Sequence, residues 1–182
     1  MLNFKPVLED ERIRIRPLGA EDYHALFEIS SDPLLWEQHP AKERSTPEGF
    51  RKWFDDAMAT GKALFIEEKS TGKPIGTSRY KEVEDDPETL EIGWTFIARA
   101  FWGNGYNGVI KRLMMQHAFT EYQRIFFFVD KQNFRSQKAV EKIGGRRIPE
   151  SSPVLRQSRA EKSFIYFITK PTDQIGLPAV RE

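Results

Sequence analysis

The sequence predicts one α+β domain whose sheet is mixed, mostly antiparallel and flanked by about four helices. The predicted elements run β-α-α-β-β-β and then α-β-α-β-β. Hairpin turns between the early strands favour antiparallel neighbours, whereas the later strand-helix-strand units favour a parallel pair. The 182 residues suffice for one buried core. We therefore expect residues 1–182 to form a single domain, with its core at about 8–170 and a loose tail after it.

Local patterns in the first half support its elements. Ile13 and Ile15 alternate with arginines, which predicts a half-buried strand. A helix is predicted over 20–30, followed by a loop over 34–44. Thr46 and Pro47 are a typical N-cap and first-turn pair, and they predict a helix that ends at Gly61. Strands are predicted over 64–68, 74–84 and 90–97, joined by turns at 71–72 and 85–87.

The second half changes pattern at a glycine-rich run over 102–108, from which a helix is predicted to about 122. The apolar run 125–129 predicts a buried strand. A helix over 133–143 is expected to end at the glycine pair 144–145. Short strands near 146–148 and over 164–168, separated by a polar loop, complete the domain.

Composition excludes several classes of function. Lys and Arg number 28 against 27 acids, a net charge of +1, which predicts neither a nucleic-acid nor a membrane partner. Cysteine is absent, so disulfides and cysteine nucleophiles are excluded. The three histidines lack metal-ligand spacing, and we expect no metal. With no pattern typical of a signal peptide and no long apolar run, a cytoplasmic location is expected.

The strongest chemical signal is the order strand, glycine-rich turn, helix. Glycines allow close backbone approach to a ligand, and the free amides of a helix N-terminus attract anions, so this arrangement suits a pyrophosphate. Three interpretations are possible. Residues 103–108 match the dinucleotide pattern G-x-G-x-x-G, but antiparallel strands precede them, unlike in a Rossmann domain. The run could also be a turn without a ligand, or a cradle for the pyrophosphate of coenzyme A.

Four motifs in register resemble the GNAT acetyltransferase superfamily. The run Trp102-Gly103-Asn104-Gly105-Tyr106-Asn107 resembles its loop Q/R-x-x-G-x-G/A, in the tryptophan-led variant of ribosomal-protein-alanine N-acetyltransferases. It departs from that pattern at Trp102 and Asn107. The other three motifs are the first strand over 12–18, the strand Leu90-Glu91-Ile92-Gly93-Trp94, and the helix that begins Asn133-Phe134-Arg135-Ser136 and ends Glu141-Lys142-Ile143-Gly144-Gly145.

This resemblance implies a GNAT fold with a splayed strand pair, and acetyl-CoA as cosubstrate. It implies transfer of the acetyl group to a primary amine in a ternary complex. The subgroup favours a protein N-terminal α-amine, and a small amine such as an antibiotic, a polyamine or an amino acid is the alternative. A homodimer is possible. Two other classes stay open: a non-catalytic acyl-CoA-binding domain and a nucleotide-binding oxidoreductase.

The resemblance also assigns roles to residues. Glu91 is the predicted general base, acting directly or through water, and Ser136 is the predicted proton donor to the leaving thiolate. Asn133 is predicted to cap its helix and to reach the pantetheine amide. The remaining predicted cofactor contacts are the pantetheine-binding strand residues Thr95, Phe96 and Ile97, and the loop residues Trp102, Gly103, Asn104, Gly105, Tyr106, Asn107 and Gly108.

Overall fold

The computed structural model describes residues 1–149 and 162–171. Within them, one sheet has the strand order β1-β2-β3-β4-β5-β6-β8-β7. Every neighbouring pair is antiparallel except β5 and β6, which are parallel. The mixed, mostly antiparallel sheet is therefore confirmed. The strands are β1 (Leu8–Glu9), β2 (Ile13–Pro17), β3 (Ala63–Glu68), β4 (Pro74–Glu82), β5 (Thr89–Ile97), β6 (Arg124–Asp130), β7 (Arg146–Arg147) and β8 (Ser163–Thr169).

Four α-helices flank the sheet in the described part of the chain, as predicted. They are α1 (Tyr23–Ser30), α2 (Pro47–Thr60), α3 (Tyr106–Ala118) and α4 (Phe134–Lys142). The region predicted as a loop over 34–44 contains two 3₁₀ helices instead, at Pro33–Trp36 and Lys42–Ser45. The strand β1 was not predicted, because two residues are too few for a periodic pattern. Most of the predicted polar loop, and the predicted tail, lie outside the described residues.

The predicted helix ends rest on local hydrogen bonds. Thr46 Oγ1 accepts from the Gly49 N–H at 3.2 Å, and Gly61 ends α2 with a left-handed φ of 62°. Asn133 Oδ1 likewise accepts from the Ser136 N–H at 3.1 Å at the start of α4. The predicted cap at Asn133 is therefore present, and it fixes where the first turn of α4 begins.

Hydrophobic cores cover both faces of the sheet. On one face, Ile110 and Met114 of α3 and Val140 of α4 pack on strand residues that include Tyr80 and Ile92. On the other face, α1 and α2 pack an aromatic cluster against β3 and the end of β5. Because both faces of the middle strands are covered, a site that opens into the sheet is expected between two strands.

Such an opening separates β5 from β6. The two strands pair only from Thr89 to Glu91, opposite 124–126. Beyond Glu91, β5 continues to Ile97 along β4, while β6 continues to Asp130 along β8. The strands therefore diverge into a V whose vertex is at Glu91. The splayed pair that the resemblance implied is present.

Candidate active site

A β-bulge lies in β5 just beyond the vertex of the V. Arg79 pairs with Gly93 and Thr77 with Phe96, so two residues of β5, numbers 94 and 95, oppose the single residue 78 of β4. Trp94 has a left-handed φ of 52°, which side chains other than glycine rarely adopt. A bulge bends its strand and re-aims the following residues. This bulge turns the end of β5 along the opening.

Glu91 sits at the vertex with only 3% of its surface exposed. Leu90 and Ile92 face the core that contains α3, so Glu91 between them faces the α1/α2 side. A Cβ on Gly93 would come within 3.1 Å of Glu91 Oε1. The missing side chain at Gly93 therefore makes room for the carboxylate that was predicted to act as the base.

Aromatic rings line the α1/α2 side next to the bulge. The rings of Trp36 and Trp53 have centroids 5.5 Å and 5.2 Å from that of Phe96. Arg79 stacks over Trp94, with its guanidinium carbon 3.9 Å from the ring centroid, and donates to Asp56 Oδ2 at 2.7 Å. Trp36, Trp53 and Phe96 are all buried, so these rings form the hydrophobic core of this side, with the ion pair beside it.

His39 lies in the segment that carries Trp36, and its hydrogen bonding leaves it no free nitrogen with which to act as a base. Burial and, to a smaller extent, the cation of Arg44 lower the pKa of His39 to about 4. The ring is therefore neutral near pH 7. Its Nδ1 accepts from the Ala41 N–H at 3.0 Å, which places the ring proton on Nε2. His39 can donate a hydrogen bond there but has no free acceptor nitrogen.

The glycine-rich run forms a cradle at the N-terminus of α3. Gly103 and Gly105 have left-handed φ values of 77° and 76°. The Val109 N–H is bonded to the Gly105 carbonyl, so the amides of residues 106–108 precede the intrahelical ladder. No heavy atom lies within 4 Å of where a Cβ of Gly103 would be. The open space and the helix amides fit a pyrophosphate group.

Arg12 contacts the cradle from its carbonyl side. Its Nη2 donates to the Asn104 carbonyl at 2.9 Å, and its guanidinium carbon lies 4.2 Å from the centre of the Tyr106 ring. The Tyr106 hydroxyl in turn donates to Glu68 Oε1 at 3.1 Å. These contacts hold the loop through its carbonyls and rings, and they leave the helix amides directed to the other side.

Trp102 covers the open edge of β5. The Ala98 N–H donates to the Ile75 carbonyl on β4, so by ladder alternation the backbone of Ile97 faces the opening. Trp102 Nε1 donates to the Ile97 carbonyl at 2.8 Å, and the guanidinium carbon of Arg135 lies 4.1 Å from the Trp102 ring. One backbone acceptor predicted for the pantetheine arm is therefore already bonded to an indole.

The first turn of α4 bounds the opening on the β6 side. Asn133 is 5% exposed, and Ser136 is partly buried one turn later. The Arg135 N–H donates to Gln38 Oε1 at 3.0 Å, and Arg135 Nη2 donates to the Leu35 carbonyl at 2.9 Å. These bonds tie α4 to the segment with Trp36 and His39. The structure thus brings the predicted strand, loop and helix residues around one opening.

Comparison with known proteins identifies the family. Residues 12–146, well over half of the chain, match the acetyltransferase (GNAT) domain family. The chain belongs to this family. The uncharacterized protein YkkB of Bacillus subtilis (strain 168) is 30% identical to this GNAT protein over 154 residues, which are 79% of this chain and 87% of YkkB.

Solved structures share the fold. Mycobacterium smegmatis RimJ in complex with CoA-disulfide superposes with a TM-score of 0.64 at 19% identity, over 90% of this chain and 86% of RimJ. A candidate ribosomal-protein-serine acetyltransferase from Vibrio cholerae has a TM-score of 0.68 at 15% identity, over 93% of this chain and all (100%) of that one. The antiparallel sheet and the family match contradict the oxidoreductase interpretation, because a dinucleotide domain needs repeated parallel strands.

Family membership supports acetyl transfer with acetyl-CoA as the donor that GNAT proteins use. No three His, Asp or Glu side chains come together as a metal site requires in residues 1–149 and 162–171. None of the described helices is long and apolar enough to span a bilayer.

The sequence patterns missed three cations at the site: Arg79, Lys111 and Arg135. Arg79 lies in a predicted strand, but its ion pair with Asp56 of α2 depends on tertiary packing. Arg135 belongs to the α4 motif, but its bonds to Gln38 and Leu35 join segments far apart in the chain. Lys111 had a local signal, because it follows Ile110 and precedes Met114 on the apolar stripe of α3, where a lysine is unexpected.

Proposed function

We propose that this GNAT protein transfers the acetyl group of acetyl-CoA to a primary amine by direct attack in a ternary complex. One observation carries the proposal. The buried carboxylate of Glu91 lies at the vertex of the β5/β6 opening, and the strand that holds it leads through a short 3₁₀ turn into the anion cradle. One segment of chain therefore presents a proton acceptor at one end and a phosphate site at the other.

The residues around the opening would hold the cofactor in sections. The amides of Gly103 to Gly108 would bind the pyrophosphate, and the Thr95, Phe96 and Ile97 segment would bind the pantetheine arm. Asn133 would bind an amide of the arm from the other side. Because Trp102 now donates to the Ile97 carbonyl, binding of the arm there exchanges one donor for another.

The proposed chemistry follows from the bonds that form and break and from the group that takes up or gives each proton. The bound acetyl-CoA supplies the thioester, whose carbonyl carbon forms a bond to the amine nitrogen while its bond to sulfur breaks. Glu91, directly or through a water, accepts the proton that the nitrogen loses. Ser136 donates a proton or a hydrogen bond to the departing sulfur. Without any cysteine in the chain, direct transfer is preferred to a covalent thioester on the enzyme.

For the acceptor, we favour a protein N-terminal α-amine. Such an amine has a pKa of about 7.7–8.0, against about 10.4 for lysine, so more of it is neutral at physiological pH. The tryptophan-led loop and the fold shared with the Vibrio cholerae protein support this choice. A small-molecule amine is the second candidate. A domain that only binds acyl-CoA is the non-enzymatic alternative.

The decisive experiment measures release of coenzyme A from acetyl-CoA with a panel of N-terminal peptides, polyamines, aminoglycosides and amino acids. On the best acceptor, Glu91→Gln should lower kcat/KM about 10²–10⁴-fold, the usual contribution of a general base, and should remove or shift the acidic limb of the pH profile. The affinity for acetyl-CoA should barely change.

The matched control is Glu84→Gln, the same change at an exposed position, which should leave every parameter unchanged. Tight binding of coenzyme A without turnover on any amine would establish the non-catalytic alternative. Equal pH profiles for the wild type and Glu91→Gln would show that the amine arrives neutral and that Glu91 is not the base.

A further inference from the structure

Lys111 of α3 is a buried cation that the proposed chemistry leaves unused. It is 5% exposed. Its Nζ donates to Thr95 Oγ1 at 2.5 Å and to Ser78 Oγ at 3.3 Å, and these two hydroxyl groups are 2.8 Å apart. No carboxylate pairs with Lys111 in the described part of the chain. The ammonium group therefore rests against the bulge of β5, with two hydroxyl oxygens as hydrogen-bond partners and the centroid of the Phe127 ring 5.8 Å from Nζ.

Burying an ammonium group without a counter-charge costs free energy. Burial therefore lowers the pKa of the amine. Burial lowers the pKa of Lys111 to about 7. Glu91 does not compensate it, because the carboxylate lies on the opposite face of the sheet. At neutral pH the side chain is therefore divided between its charged and neutral forms.

Several other titratable side chains on the surrounding elements have partners of their own. Tyr80 on β4 donates to the Met114 carbonyl. Around α3, Glu68 is bonded to Tyr106 and Arg112 to Asp10. His117 is bonded to the Asn3 carbonyl and Glu141 to Tyr166. Burial is the single cause that shifts the pKa of Lys111. A new charge close to Lys111 would therefore act on a group that no described charge yet balances.

The cradle lies one helical turn from Lys111. Asn107, at the N-terminus of α3, precedes Lys111 by four residues, which is about 6 Å along a helix axis. Side chains on a helix lean toward its N-terminus, so Nζ lies closer to the cradle than its Cα does. Phosphates on the amides of residues 106–108 would therefore bring negative charge to within about one helical turn of this ammonium.

We propose that Lys111 is the buried counter-charge for the phosphates of the cofactor, and that cofactor binding draws a proton from solvent onto its amine. The inference rests on the proposed cofactor site, and it adds that the protonation of Lys111 is coupled to binding of the cofactor. No covalent bond changes: one proton moves from buffer to nitrogen. The protonated amine, as a donor only, then holds the hydroxyl groups of Thr95 and Ser78 at the bulge.

The sign of the pH effect follows from linkage. An anion raises the pKa of a neighbouring amine, so bound cofactor keeps Lys111 charged at pH values where the free protein is neutral there. Proton uptake should be near zero at about pH 6 and greatest just above pH 7, at about half a proton for a one-unit rise in pKa. For each unit by which cofactor binding raises the pKa of Lys111, the affinity for the cofactor should fall about tenfold between about pH 6 and pH 9.

Titration calorimetry with dephospho-CoA in two buffers of different ionisation enthalpy tests the inference. Dephospho-CoA is the right probe because it keeps the pyrophosphate and lacks the phosphate monoester, which itself titrates near pH 6. The wild type should take up protons at about pH 7.5. Lys111→Met should take up none, and its affinity should be reduced about tenfold at about pH 6 and match the wild type at about pH 9.

Tyr80→Phe is the matched control, because it alters another buried polar contact with α3 that does not titrate in this range, and it should retain the uptake. Binding of dephospho-CoA without proton uptake by the wild type, a measurement that needs no variant, would overturn the inference alone. Uptake that persists in Lys111→Met would also overturn it. Failure of the wild type to bind dephospho-CoA would overturn the proposed cofactor site as well.

Discussion

At the scale of single residues, the site depends on pairs in which one residue creates the conditions for another. The carboxylate of Glu91 occupies space that exists because Gly93 has no side chain. The hydroxyl groups of Ser78 and Thr95 provide the acceptors that let Lys111 remain buried. In each case an ionisable residue depends on a neighbour that does not itself ionise, so we expect a substitution at the neighbour to affect the function of the ionisable residue.

Ser136 provides the residue-scale test of the leaving-group step. Ser136→Ala should lower kcat and kcat/KM together, by about tenfold or more, because proton donation to the sulfur stabilises the transition state and not the bound substrate. Steady-state kinetics and a binding titration with coenzyme A separate these quantities. Ser31→Ala, which removes an exposed hydroxyl bonded to the Glu28 carbonyl, should change neither. Unchanged turnover in Ser136→Ala would show that water protonates the sulfur.

At the scale of elements, the cradle depends on the backbone conformation at its glycines. Gly105→Val should weaken coenzyme A binding at least about tenfold, because the φ of 76° disfavours a branched side chain and the amides would shift. Gly144→Val is the matched control: its φ of 91° is also left-handed, and no heavy atom lies within 4 Å of where its Cβ would be, while a Cβ on Gly105 would meet only Arg12 Nη1, at 3.7 Å. Both variants should lose about 1 kcal/mol or more of stability.

Thermal unfolding and a binding titration on the two glycine variants give the answer. Only Gly105→Val should lose affinity for the cofactor. If both variants bind coenzyme A equally well, the pyrophosphate does not lie on this loop.

Elements with strong local signals were predictable, and elements that tertiary contacts create were not. The N-cap at Thr46, the glycine stop at Gly61 and the cradle all follow from residues adjacent in sequence. The bulge at Trp94 could not be predicted, because tryptophan does not favour a positive φ and only the pairing of β4 with β5 imposes it. The splay between β5 and β6 came from family resemblance alone, since no local pattern marks where paired strands separate.

The same distinction holds for the candidate site. The β5, loop and α4 motifs border one opening, whereas Arg79, Arg135 and Lys111 gain their significance from partners far away in the chain. The catalytic and cofactor roles of the motif residues stay predictions, as does the possible homodimer. The aromatic cluster around Phe96 also depends on contacts between distant segments, so no local pattern in the sequence indicates it.

At the scale of the whole molecule, Lys111 should impose a pH dependence on stability. Its folded-state pKa is lowered to about 7, so between about pH 7 and its unfolded value the unfolded chain binds more protons than the folded one. Stability should therefore rise with pH across this window, by up to about 1.4 kcal/mol per pH unit. Lys111→Met should remove this slope and raise stability at neutral pH.

Denaturant unfolding of both proteins between about pH 7 and pH 10 measures the effect. Lys81→Met, the same change at an exposed position on β4, should leave the slope in place. A Lys111→Met variant that is less stable than the wild type at every pH would show that the hydrogen bonds of Lys111 to Thr95 and Ser78 outweigh the cost of burying its charge.

The covering of Ile97 by Trp102 has a consequence for solubility. A strand that leaves its neighbour in mid-sheet presents unpaired peptide groups, which are templates for the extended segments of other molecules. The Trp102 indole binds the Ile97 carbonyl, and Arg135 stacks on the indole. The Ile97 carbonyl is therefore not free to accept a hydrogen bond from another strand. Trp102, one of the two positions where the loop departs from the family pattern, is thus expected to disfavour edge-to-edge self-association through this strand.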